Sequence, residues 1–167
     1  MKILIVDDVA ANVKLLEAKL SSEYYDVIAA KDGYEAIEKA KQHKPDIILL
    51  DIMMPGIDGF ETCKRLKEIP EVAHIPVVMV TTLDGRDDRL KGLKAGAEDF
   101  LTKPIDGELL MEAVRKALRH CIQTHEKTAR TQEAEMRLAR LSSRELEVLQ
   151  LVTEGLSSKE IGSRLGL

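Results

Sequence analysis

The stretch PDIILLDIMMPGIDG, Pro45 to Gly59, decides how this chain folds. Ile47 to Leu50 form a four-residue apolar run between turn signals, which reads as a strand buried on both faces of a parallel sheet. The run ends in a single carboxylate, Asp51, followed by a Pro/Gly turn and an amphipathic helix pattern. Asp51 then stands at the carboxyl end of its strand, where open α/β sheets place their ligands. A carboxylate is costly to hold there unless a metal ion or a reaction uses it. Asp51 is the first candidate for a reactive residue.

Outward from that strand the same alternation repeats. Ile3 to Val6, Val27 to Ala30, Val77 to Val80 and Phe100-Leu101 are further strand candidates. Between and after the strands lie helix patterns over Ala11 to Leu20, Tyr34 to Gln42, Gly59 to Lys67, Asp87 to Ala95 and Gly107 to Leu118. Five β-then-α units imply an α/β domain with a five-stranded parallel sheet, covered on both faces because parallel crossovers need helices. The flavodoxin-like strand order 2-1-3-4-5 fits, with its crevice between strands 1 and 3, although spacing alone does not determine the order.

Composition narrows the class. The chain has 167 residues, 25 Lys and Arg against 29 Asp and Glu, and a formal net charge of -4, so the whole molecule carries no strong field for nucleic acid. Cys63 and Cys121 lie far apart with no CxxC spacing, as expected of two reduced thiols. Met1 to Val6 is too short and too soon followed by acids to be a signal peptide, and no apolar run approaches a membrane span. The expectation is a cytoplasmic protein with no membrane partner.

On this scaffold the polar residues converge. Asp7 and Asp8 follow strand 1, Asp51 ends strand 3, Thr81 and Thr82 end strand 4, and Lys103 follows strand 5 just before Pro104. All project from one edge of the sheet. Two carboxylates 4 Å apart repel by about 4 kcal/mol at an effective dielectric near 20. A divalent cation relieves that repulsion, and an oxygen-only donor set suits Mg2+. Two carboxylates for a metal, a third to react, a lysine and a hydroxyl together suit an incoming phosphoryl group. Each piece has a plainer reading: an acidic pair after a strand can be a solvated turn, and Lys103-Pro104 can be a turn or a cis bond that directs the lysine. Asp58 fits the N-cap of the next helix and is given no chemistry.

The motifs ILIVDD, PDIILLDIMMPGIDG, the threonine after VVMV, and AGAEDFLTKP closely resemble the receiver domain of bacterial two-component response regulators over residues 1–118. EAKLSSEYYDV and HIPVVMVTTLDGRDDRLKGLKAGAEDFLTKPID are particularly similar to the first receiver of PleD-type diguanylate cyclases. The resemblance implies that Asp51 is the phosphoacceptor and Asp7 with Asp8 the acidic pair. It implies Mg2+ held by Asp8, Asp51 and the backbone carbonyl of Met53, with Asp7 behind them. Thr81 would be the hydroxyl that follows the phosphoryl group, Lys103 its lysine, and Phe100 the aromatic switch. The donor would be a phosphohistidine on a sensor histidine kinase or phosphotransfer protein, and the phosphorylated form would be a homodimer. The chain would assist its own Mg2+-dependent phosphorylation and dephosphorylation without being an enzyme in the ordinary sense.

Two departures stand out. No GG(D/E)EF motif follows, and Leu83 and Met53 place apolar side chains where many receivers are polar. If both screen attacking water, the acyl phosphate is long-lived.

The tail carries the output. From Glu108 to Glu154 there is no Gly or Pro, so the fifth helix can run on into a linker over 119–141. Leu118, Ile122, His125, Ala129, Gln132, Met136 and Ala139 repeat at alternating spacings of 4 and 3, which suits either a coiled coil or a solvated connecting helix. His120 and His125 have a poor spacing for one metal. Within 142–167, Ser142-x-x-Glu145 and Ser157-x-x-Glu160 are capping boxes that open helices over Arg144 to Thr153 and Ser158 to Leu165, with Gly155 and Gly166 as stops. LSSRELEVLQLVTEGLSSKEIGSRLGL resembles the opening of a LuxR/FixJ-type DNA-binding domain; the plainer alternative is a generic helical hairpin. The recognition helix that would read bases is expected beyond Leu167, so DNA is a partner only of a form that carries it. Leu146 with Leu149, and Ile161 with Leu165, are expected to expose apolar faces. The leading reading is a phosphorylation-switched transcriptional regulator. The second is an output-less receiver that shuttles phosphate or switches a protein contact. A dehalogenase-type phosphatase would need a second aspartate where Met53 stands.

Overall fold

The computed structural model describes residues 1–82, 85–119, 136 and 139–165. Five strands, β1 (Lys2–Val6), β2 (Asp26–Ala30), β3 (Ile47–Asp51), β4 (Val77–Thr81) and β5 (Asp99–Thr102), alternate with helices. These are α1 (Ala10–Ser21), α2 (Gly33–His43), α3 (Gly59–Glu68), α4 (Arg86–Ala95) and α5 (107–119). All strand pairs are parallel and the sheet order is β2-β1-β3-β4-β5, the doubly wound order expected. β3 and β4 each run one residue past the apolar pattern, to Asp51 and Thr81. The ladder is made by backbone groups and tolerates a polar side chain at its end.

Strand alternation divides the core between the two faces. Ile3, Ile5, Ile47, Leu49, Val78 and Val80 pack with Leu16 and Leu20 of α1 and with Leu110 and Val114 of α5. Leu4, Val6, Ile48, Leu50, Val77 and Met79 pack on the opposite face with Ala36, Ala40, Cys63 and Leu66 of α2 and α3. β3 and β4 are buried throughout, which is why their sequences are unbroken apolar runs. Asp58 caps α3 by accepting from the Glu61 amide at 2.8 Å, as its position implied. The Lys103–Pro104 peptide bond is cis.

The chain divides into two units, Met1–Ile122 and Gln123–Leu167. The second contains α6 (Ser143–Thr153) and α7 (Ser158–Leu165). Ser142 and Glu145 form the full capping box, Ser157 and Glu160 form a second, and Gly155, at φ +82°, turns the chain between the helices. Leu146 and Leu149 are exposed as expected, and Val152 is exposed too, but Ile161 is not. It is buried against Leu151, with Val148 and Leu156 around the pair, because the helical hairpin closes on that side. The Leu165 side chain and seam positions Ile122, His125, Ala129 and Gln132 lie outside the described residues, as do His120 and Cys121. Leu118, the first seam position, belongs to the α5 core. Among the described residues no helix is long and apolar enough to cross a membrane.

Gly59 shows how tightly the site's loop is held. A Cβ there would lie 2.3 Å from the Asp51 carbonyl oxygen and 2.7 Å from the Ile52 Cα, both backbone atoms that cannot step aside. Gly59→Ala is therefore expected to lower stability by about 1–3 kcal/mol, read as a shift of the urea midpoint; an unchanged midpoint would show that the loop yields freely.

Candidate functional site

The carboxyl ends of β1 and β3 are neighbours, so Asp7 and Asp8 just after β1 come together with Asp51, the last residue of β3. One carboxylate oxygen from each lies within 4.8 Å of the others. Asp7 is 3% and Asp51 5% exposed, whereas Asp8 is open to solvent. The Lys103 ammonium, delivered by the turn after β5, stands 2.7 Å from Asp7 Oδ2 and 3.2 Å from Asp51 Oδ1. One cation thus bridges two buried carboxylates and offsets part of their repulsion.

Backbone and amide donors complete the arrangement. Asp51 Oδ1 accepts from the Ile52 amide at 2.9 Å, and Asp7 Oδ1 accepts from the Val9 amide at 2.9 Å. The Asn12 amide nitrogen donates to both Asp7 oxygens at 3.1 Å. Asn12 was not anticipated from sequence; a polar residue in the first turn of the helix after the acidic pair was the available signal. Asp8 makes no hydrogen bond among the described residues, which leaves its oxygens for an external ligand. Burial pushes the Asp51 carboxyl above its usual range, the Lys103 charge pulls it back, and the neighbouring Asp7 carboxylate pushes it up again.

A cavity of about 620 Å³ opens over these groups, with Asp8, Asn12, Asp51, Lys103 and Thr82 as its polar wall and Leu15 and Met53 among its apolar one. Met53 is 60% exposed at that rim, and Leu83 lies outside the described residues. Thr81 is 1% exposed at the end of β4, and Thr82 rather than Thr81 walls the cavity. The Thr81 carbonyl accepts from the Lys103 amide at 2.8 Å and so ties β4 to the lysine's turn. By alternation Thr81 falls with Met79 on the opposite side of the sheet from Ile47 and Leu49. Phe100 lies on that side too, its ring closing on Gly92 of α4 so tightly that a Cβ there would sit 2.0 Å from Cζ. The structure therefore gathers Asp7, Asp8, Asp51 and Lys103 in one cluster and sets Thr81 and Phe100 along β4 and β5 beside it.

Residues 3–115 match the family model of the response regulator receiver domain, and residues 139–167 match that of bacterial regulatory proteins of the luxR family. The chain belongs to the response regulator receiver-domain family. It is similar to the response regulator PleD of Caulobacter vibrioides, with 58% identity over 71% of this chain and 26% of that protein. It is also similar to the alkaline phosphatase synthesis transcriptional regulatory protein PhoP of Bacillus subtilis, with 43% identity over 71% of this chain and 48% of that protein. The chain thus spans about a quarter and about half of these relatives' lengths. Among solved structures, response regulator StyR aligns with 99% of this chain and 83% of its own at a TM-score of 0.78 and 27% identity.

Because the folded chain holds the Asp51 proton more tightly than the unfolded chain, stability is full below the unfolded value near pH 4 and falls as pH rises through the raised folded value. In EDTA at neutral pH, Asp51→Asn is expected to raise Tm by about 3–6 °C, the shift that about 1 kcal/mol gives in a domain of this size. The gain should vanish on acidification below about pH 4. A Tm gap that does not depend on pH would remove the charge explanation.

Proposed function

We propose that this chain accepts a phosphoryl group on Asp51 from a phosphohistidine of a sensor histidine kinase or phosphotransfer protein, working in the cytoplasm. The observation that carries the reading is the Lys103 ammonium placed between Asp7 and Asp51 beneath the open carboxylate of Asp8. An Asp51 oxygen attacks the donor phosphorus; the O–P bond forms, the P–N bond breaks, and the imidazole leaves with the electron pair. Lys103 then pairs with a phosphoryl oxygen, and the hydroxyl of Thr81 donates to another.

The donor set fits a hard divalent cation: oxygens only, with the Asp8 carboxylate facing solvent. Asp8, Asp51 and the Met53 carbonyl would hold Mg2+, with Asp7 behind. Bound there, the ion would neutralise charge on the transferring phosphoryl oxygens.

Drawing Thr81 and Lys103 toward the phosphoryl group pulls on the ends of β4 and β5, where Phe100 packs on α4. That coupling supports a shift between two pre-existing states of the β4–β5 face, read out as homodimerisation or as release of the tail. The division into a receiver over 1–118, a helical linker over 119–141 and a helix-turn-helix start over 142–167 fits this. The luxR-family match favours transcriptional output, with DNA read by a recognition helix in a form that carries one.

Intact mass after incubation with acetyl phosphate and Mg2+ tests the site. Wild type should gain one phosphoryl group, Asp51→Asn none, and wild type in EDTA none. Lys103→Ala should slow labelling by about tenfold or more. Label persisting on Asp51→Asn would reject the assignment.

A further inference from the structure

Lys103 reaches its two carboxylates from a turn between β5 and α5, along which Thr102, Pro104 and Asp106 are exposed. The turn begins with the Lys103 amide bonded to the Thr81 carbonyl at 2.8 Å. Pro104 has no N–H to add a second backbone bond. The Ile105 side chain is half-buried against the core layer of α1 and α5. Its carbonyl accepts a hydrogen bond from the Lys19 ammonium at 2.7 Å. Lys19 lies in the last turn of α1, 86 residues away in sequence. Helix α1 therefore meets the site twice: Asn12 near its start holds Asp7, and Lys19 near its end holds the lysine's turn.

The surroundings of Lys19 show that the carbonyl is its chosen partner. Glu23, Glu108 and Glu112 line the same groove, yet Lys19 forms no ion pair among the described residues. A Cβ at Gly107, the first residue of α5, would lie 3.9 Å from the Lys19 nitrogen. The amino end of a helix repels a cation, so the bond to Ile105 is what keeps the ammonium there. Charge-assisted bonds of this kind are stronger than those between neutral groups. Of the two contacts that Lys103 makes, 2.7 Å to Asp7 and 3.2 Å to Asp51, the second is the longer. A turn that moves outward gives up Asp51 first.

We propose that Lys19 is a positioning residue for phosphoryl transfer, holding the turn after β5 so that Lys103 reaches Asp51 as well as Asp7. Lys19 is not among the residues that line the cavity over Asp51, and it acts through Lys103. Its effect on transfer rests on the reading of Asp51 as phosphoacceptor; its effect on where Lys103 stands does not.

Two measurements on the full chain test this, using Lys19→Met, which keeps the stem and loses the ammonium, and Lys19→Arg, which keeps a donor. The first is the NMR signal of the Lys103 ammonium in EDTA, identified by its absence in Lys103→Ala. Its hydrogens should exchange with water about threefold faster or more in Lys19→Met, and at the wild-type rate in Lys19→Arg. Backbone signals in the same spectra show that each variant is folded. The second is labelling by acetyl phosphate with Mg2+. Lys19→Met should label more slowly by about threefold to tenfold, and Lys19→Arg as wild type does. In a Lys103→Ala background, Lys19→Met should change the rate by less than about twofold, because the group it acts through is gone. Lys103 exchange that ignores Lys19→Met, or that is already as fast in wild type as at exposed lysines, would overturn the proposal. So would a labelling loss that is fully additive with Lys103→Ala. A wild type that takes no label, with Lys103 exchange still dependent on Lys19, would reject the Asp51 reading and uphold the placement of Lys103.

Discussion

One ammonium between two buried carboxylates holds this site together. Lys103 reaches Asp7 at 2.7 Å and Asp51 at 3.2 Å, from a strand two places away from β3 in the sheet. Remove that charge and Asp7 and Asp51 repel each other in a region that water barely enters. Fixed donors add to the ammonium: the Val9 amide and the Asn12 side chain on Asp7, and the Ile52 amide on Asp51 Oδ1. Asp8 is exposed and makes no hydrogen bond among the described residues, so its oxygens are open to a new ligand. Three carboxylates against one ammonium leave the cluster with excess negative charge, which suits it to a cation.

The sheet has two cores and the site sits where they meet. Asp51 ends the strand whose Ile47 and Leu49 face α1 and α5, while Thr81 ends the strand whose Val77 and Met79 face the other layer. A displacement where Asp51 and Thr81 meet is therefore felt on both sides of the sheet. On the second side it meets Phe100, whose ring leaves no room for a side chain at residue 92. Contacts that tight pass a shift on rather than absorb it.

The C-terminal unit is built on a different economy. Its helices are opened by two Ser/Glu capping boxes and joined across a glycine in the left-handed region, and among the described residues they bury Leu151 and Ile161. Leu146, Leu149 and Val152 remain exposed, so α6 keeps an apolar face that this hairpin does not cover. Local capping defines these helices more than packing does.

Much was legible in advance because its causes are local. Unbroken apolar runs announce strands buried on both faces, and Asp58, Ser142 and Ser157 announce helix starts through hydrogen bonds to residues three positions on. That Asp7, Asp8, Asp51 and Lys103 share one edge follows from the direction common to all strands of a parallel sheet. What sequence alone did not carry was every contact set by side-chain direction across long separations. Asn12 turning back onto Asp7, Thr82 walling the cavity while Thr81 is buried, and Phe100 closing on Gly92 all depend on twist and packing between elements. Ile161 differs from expectation for the same reason: its pattern marks it as apolar, but which way the hairpin closes decides whether water reaches it. The sequence by itself determined the elements, their parallel order of faces and the chemical groups at the sheet's edge, since those rest on periodicity and backbone hydrogen bonding. Only the tertiary structure decided which of those groups touch, because contact depends on the relative placement of strands and helices far apart in the chain.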